Sequence, residues 1–156
     1  MKADYEQIDQ LVIREQILAA KGDELDLLVA EHIMGYRWED GPKYDYKGPC
    51  EWERILVPPS FSEEHFKSWV FPPKGKIGKN YFIVMEWSRY ISGAWEVVKA
   101  LKRKGLYMAF AMNRDTYNFS VWDSEGVELI TNWVRAKTAP EAICKAALLA
   151  VLEVSE

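Results

Sequence analysis

The chain has 156 residues, 49% of them apolar and 28% charged, enough to bury roughly two-thirds of the unfolded surface in one domain, 1–156, without a disulfide or metal staple. A net charge of −4 excludes general nucleic-acid binding, which needs a basic face. Two cysteines exclude a disulfide framework, and the polar start MKADYEQIDQ and the short apolar run AALLAVL predict neither a secretory leader nor a membrane span, so the expectation is a cytoplasmic protein.

Residues 4–20 carry Ile8, Leu11, Val12, Ile17 and Leu18 roughly on one side of a helix that Gly22 ends. Residues 1–22 read as a helical extension that packs on the rest of the chain or on a second subunit. Over 23–34, Leu25, Leu28, Val29, His32 and Ile33 follow one helical face. Asp23 is the expected N-cap, Glu24 and Asp26 suit the positive helix end, and Gly35 fits the left-handed C′ position. His32 is expected on the core side.

Residues 39–80 hold most of the prolines and read as a long irregular insertion with ERILV as a short strand. YFIVM (81–85) is a further strand. In EWSRYISGAWEVVKAL (86–101), Ile91, Ala94, Trp95, Val98 and Leu101 give the expected apolar face, with Ser88 as N-cap and Gly105 after a basic last turn. Three strands follow, 106–113, 116–123 and 127–137, separated by the turn-rich NRDT and DSEG. In the second, Tyr117, Phe119 and Val121 face one way and Asn118, Ser120 and Trp122 the other. The last helix opens on a capping box, Thr138 with Glu141, and Pro140 in the first turn. Its apolar body AICKAALLAVL predicts burial on most sides, and Cys144 reads as a small buried hydrophobe. Helices segregated over an antiparallel sheet make an α+β domain, an α-β-α layered sandwich.

Three segments, LLVAEHIMGYRW (27–38), WSRYISGAWEVVKAL (87–101) and AKTAPEAICKAALLAVLE (136–153), resemble the phage ABA sandwich domain family, in its order and with a sheet region between the second and third. The resemblance implies helices on both faces of a sheet, a small bacteriophage protein, and no established enzyme chemistry. Small phage proteins often counter host defence, some by sequestering nucleotide signals as oligomers. This link to function is an association and not a consequence of the fold.

Catalytic sets are missing from the pattern. Two histidines, His32 and His65, and two separated cysteines give no zinc spacing. KGKIGKN (74–80) lacks the spacing of a phosphate loop and reads as a basic surface loop. Neither a metal nor a cofactor is expected, and the protein reads as a non-enzyme. The remaining signal is arginine beside aromatic rings. Trp87, Arg89 and Tyr90 stand at a helix start, which favours anions. Arg114 and Asn118 flank a strand turn, and Trp133 and Arg135 share a face of the last strand. Arginines on phosphate and a ring stacked on a base would hold a small nucleotide. The expected function is therefore a homo-oligomeric phage accessory protein that sequesters a nucleotide immune signal. The alternative is an adaptor that binds a host or phage protein through exposed aromatics of the insertion, Trp52 and Trp69.

Overall fold

The computed structural model describes residues 2–40, 44–45, 48–49, 54–61, 76–78, 81–83, 85–123, 125–126 and 128–152, with the main chain alone at 2–9, 44–45, 48–49, 76–78 and 81–83. Cys50, Trp52, His65, Trp69, Lys74 and Lys79 lie outside the described residues, so the expectations placed on them stay there.

Helix α1 (Lys2–Ala19) is joined to α2 (Asp23–His32) through Gly22. At φ +55°, Gly22 holds the cap position of α2, a conformation that disfavours any side chain. The cap expected at Asp23 is therefore not formed. Asp23 is the first helical residue, and its carboxylate lies 3.8 Å from the Arg89 guanidinium. Gly35 does take the left-handed conformation, at φ +74°, and the Tyr36 N–H returns to the Ala30 carbonyl at 3.0 Å. His32 is half-exposed beside Glu31, at 3.9 Å, and not in the core.

Strands β1 (Arg37–Asp40), β4 (Arg54–Val57), β5 (Lys76–Gly78) and β6 (Tyr81–Ile83) form a four-stranded sheet in the order β1-β4-β6-β5. Its β4–β6 pair is parallel and the others antiparallel. Short strands β2 (Tyr44–Asp45) and β3 (Gly48–Pro49) pair separately. The expected ERILV and YFIVM strands are present as β4 and β6. The expected antiparallel sheet is the three-stranded meander over residues 107–136, and the separate four-stranded sheet is mixed. Strand β1 escapes the hydrophobic pattern because RWED is an edge strand stabilised by its own polar contacts. Trp38 Nε1 donates to Glu31 Oε1 at 3.0 Å, and the Arg54 guanidinium stacks 5.6 Å from the Trp38 ring centre.

Helix α3 (Ile91–Arg103) buries Gly93, Ala94, Val97, Ala100 and Leu101. Ile91 and Trp95, placed on its apolar face by their spacing, are each 58% exposed. The helix is rotated because its small residues allow close approach. A Cβ on Gly93 would sit 2.9 Å from the Glu86 carbonyl oxygen and 3.0 Å from Trp87 Cα. Tyr90, not Ser88, holds the cap position of α3 and makes no side-chain cap. Gly105, at φ +75°, ends the last turn as expected.

Strands β7 (Tyr107–Met112), β8 (Tyr117–Trp122) and β9 (Leu129–Ala136) form the expected antiparallel meander in the order β7-β8-β9. Helix α4 (Ala139–Val151) follows at once. Thr138 Oγ1 accepts the Glu141 N–H at 3.4 Å. The reciprocal half of the capping box is not made, because Glu141 Oε1 accepts from Lys145 Nζ at 2.7 Å. Helix α4 is the centre of the molecule. Residues Ala142–Ala150 are buried throughout, and the helix packs on β8 and β9 on one side and on α1, α2 and α3 on others. Among them is Lys145, 3% exposed, whose ammonium also donates to the Leu18 carbonyl of α1 at 2.7 Å. A buried cation thus binds the carbonyl-rich end of α1 to the core. The result is an α+β sandwich-like fold.

Candidate functional site

The seven residues singled out from the sequence fall into two groups. Trp87, Arg89 and Tyr90 stand at the corner between α2 and α3. Trp87 is 2% exposed and meets Tyr36 edge-to-face at 5.6 Å, so it is a core ring and not an open stacking platform. Arg89 is held by acidic neighbours, Glu86 at 3.0 Å and Asp23 at 3.8 Å. Tyr90 is 60% exposed. The corner is built on Asp26, a buried carboxylate that the sequence reading took for a helix-end charge. Its Oδ1 accepts the Ser88 N–H at 2.8 Å, and the Ser88 hydroxyl donates to the Gly22 carbonyl at 3.3 Å. Burial pushes the Asp26 carboxyl above its ordinary value of 3.8, against the opposing effect of the Ser88 hydrogen bonds. Ser88 is 62 residues away in the chain, so no local pattern announces this pair.

Beside the corner, Tyr36 and Trp87 line a cleft of about 270 Å³ with Met34, Met85, Pro58 and Pro59. Arg37 pins the proline wall by donating to the Pro59 carbonyl at 3.2 Å and the Phe61 carbonyl at 2.7 Å. The charged residue lining this cleft is Glu96, the wrong sign for a phosphate.

The second group lies on the three-stranded sheet. Arg114 is in the β7–β8 turn, exposed. Asn118 and Arg135 are cross-strand partners, and Arg135 Nε donates to Asn118 Oδ1 at 3.3 Å. Their face is opposite the one on α4. Phe119, Val121, Thr131, Val134 and Ala136 are buried toward α4. The alternate residues point outward, as the period of two requires. Register shifts between Phe119 and Val121 place both Asn132 and Trp133 opposite Ser120 as a bulge, which turns both side chains out to solvent. Trp133 is 49% exposed and Tyr107 is 47% exposed. Trp122, opposite Tyr107, donates its Nε1–H to Ser120 Oγ at 2.9 Å. The outer face thus gathers three large rings and one guanidinium. Tyr107, Asn132, Trp133 and Arg135 on it are exposed. Tyr107 and Trp122 were not in the sequence-derived set; their signal was the strand alternation carried across the hairpin.

Cys144 is fully buried, and burial, with Asp26 and Glu141 nearby, pushes its thiol well above the ordinary range. Among the described residues no group of three or more His, Cys, Asp and Glu side chains could hold a metal, and no helix is long and apolar enough to cross a membrane.

The family model of the phage ABA sandwich domain matches residues 27–148. The chain is also similar to a phage protein from Bacillus cereus ATCC 14579, solved as a crystal structure at 2.0 Å, with 22% identity and a TM-score of 0.48 over 85% of this chain and 93% of that one. A search of the curated proteins returned no match.

Proposed function

The chain belongs to the phage ABA sandwich domain family, and from that premise we propose that it works by binding and not by catalysis, in the cytoplasm of the infected host and as a homo-oligomer, with the outer face of the β7–β9 sheet as its contact surface. A protein of the host or the phage is the partner that this face fits best. The observation that carries the reading is a single outward sheet face that bears Trp133 and, toward its far end, Tyr107 and Trp122, with Arg135 at the end nearest the β7–β8 turn. Aromatic rings and arginine are the side chains that dominate protein contacts. A small ligand needs a concave site that buries most of its surface, and the cleft beside Trp87 carries the acidic Glu96.

A small nucleotide is the second reading. It is supported by the Arg135–Asn118 pair on the same face as Trp133, which leaves a ring for a base and a guanidinium for phosphate. Arg89 does not join it, being held by Glu86 and Asp23.

Two measurements separate the readings. A thermal-shift screen with cyclic and ADP-ribose-type nucleotides is expected to give no shift. Affinity capture from infected-cell lysate is expected to retain a protein that Trp133→Ala no longer retains. A nucleotide-dependent rise in melting temperature that Arg135→Ala abolishes would replace the first reading by the second.

A further inference from the structure

The two edges of the three-stranded sheet differ. Strand β9 is broken by register shifts and carries Arg135, devices that blunt an edge. Strand β7, YMAFAM, has no charge, no proline and no bulge, and it pairs with β8 without interruption from Tyr107 to Met112. Among the described residues no strand pairs with its other side. Phe110 is 54% exposed and Met112 is 67% exposed.

The hairpin sets which backbone groups of β7 remain open. Asn113 N–H donates to the Thr116 carbonyl at 3.1 Å, and the Ala111 carbonyl accepts from Asn118 Nδ2 at 3.3 Å. Residues 111 and 113 therefore turn their backbone toward β8. By the alternation of an antiparallel ladder, Met108, Phe110 and Met112 turn theirs away. We propose that this edge is the subunit interface of a two-fold dimer, in which β7 pairs antiparallel with β7 of a second copy to make one continuous six-stranded sheet. The free groups restrict the register, and centring it on Phe110 pairs all three of them. Phe110 stands opposite the partner's Phe110 on the axis, and Met108 opposite the partner's Met112.

The occupant follows from charge and shape. An isologous interface brings each residue near its own copy at the axis, so any charge there meets its like. The six uncharged residues of β7 avoid that cost in a chain of net charge −4. On the face turned toward α4, Phe110 already packs on Phe119 at 5.3 Å. The proposed register extends this contact into a row of four rings across the axis and covers Met112. On the outer face Ala109 meets the partner's Ala111, small side chains that let the strands close. The dimer leaves the aromatic outer face open and doubles its width.

This inference deepens the oligomeric part of the proposed function and rests on it. Light scattering of the full chain is expected to give twice the 18.1 kDa of one chain at micromolar concentration. Phe110→Lys is expected to give the single-chain mass with a cooperative melt that no longer depends on protein concentration, and Met112→Lys to weaken the dimer at least tenfold should the first variant not fold. A short bis-maleimide is expected to cross-link Phe110→Cys into dimers, while Met112→Cys, placed off the axis, links far less. A monomeric native chain overturns both the interface and the oligomer. A dimer that persists in both lysine variants, or equal linking at 110 and 112, overturns the interface alone.

Discussion

The two faces of the β7–β9 sheet are made by alternate residues of the same strands, yet they carry different loads. Toward α4 the strands present Phe119, Val121 and Val134, all buried, against a helix whose residues 142–150 are buried throughout. Away from it they present Tyr107, Trp122 and Trp133, larger rings left in or near solvent. Small and branched side chains interdigitate and fill the interior. On this sheet the largest rings lie on the outer face, whereas Trp87 and Tyr36 are buried elsewhere in the core. Aromatic size therefore does not mark the packed face of this sheet.

The contrast breaks most visibly if the packed side is disturbed. Leu148→Ala on α4 removes a fully buried side chain and is expected to cost ~2–5 kcal/mol in urea unfolding. A loss below about 1 kcal/mol would mean that α4 is not the centre of the core. Next is Asp26. Asp26→Ala leaves the buried Ser88 N–H without its acceptor and is expected to cost ~1–3 kcal/mol. Asp26→Asn keeps an acceptor and should lose much less. Because the folded carboxyl is raised above 3.8, the folded state holds that proton more tightly than the unfolded chain. This contribution to stability is full below 3.8 and is lost as pH rises through the folded value. Asp26→Asn should flatten that acid-range slope. Thr131 sharpens the comparison from within the packed face. Its Oγ1 is buried with no hydrogen-bond partner among the described residues, so Thr131→Val is expected to stabilise by about 1 kcal/mol in the same unfolding experiment. The smallest effect belongs to the outer face, where Trp133→Ala should shift stability by about 0.5 kcal/mol or less.

Much of the framework was legible because it is local. The three strands of the meander were read within two residues of their observed ends, since NRDT and DSEG separate runs of clear alternation. The cap of α4 at Thr138 was legible for the same reason. The exposed flank of α3 was not. Trp95 has the spacing of a core residue, but Gly93 and Ala100, invisible to a hydrophobic pattern, set which side approaches the core. Polar strand β1 was missed because it is held by pairing with β4 and by the Arg54 contact to Trp38, which no window around RWED contains. In the candidate site, the shared face of Trp133 and Arg135 followed from alternation alone. The separation of Arg89 from that face depended on Asp23 and Glu86, brought to it by the packing of α2 against the turn before α3.

The most direct test of the outer face as a binding surface is hydroxyl-radical footprinting of the tryptophans, with and without lysate of infected cells. Trp133 is expected to react in the isolated protein and to become protected when the partner is present, while Trp87 stays unreactive in both. A Trp133 as unreactive as Trp87 in the isolated protein, or one that reacts equally with and without lysate, would contradict it.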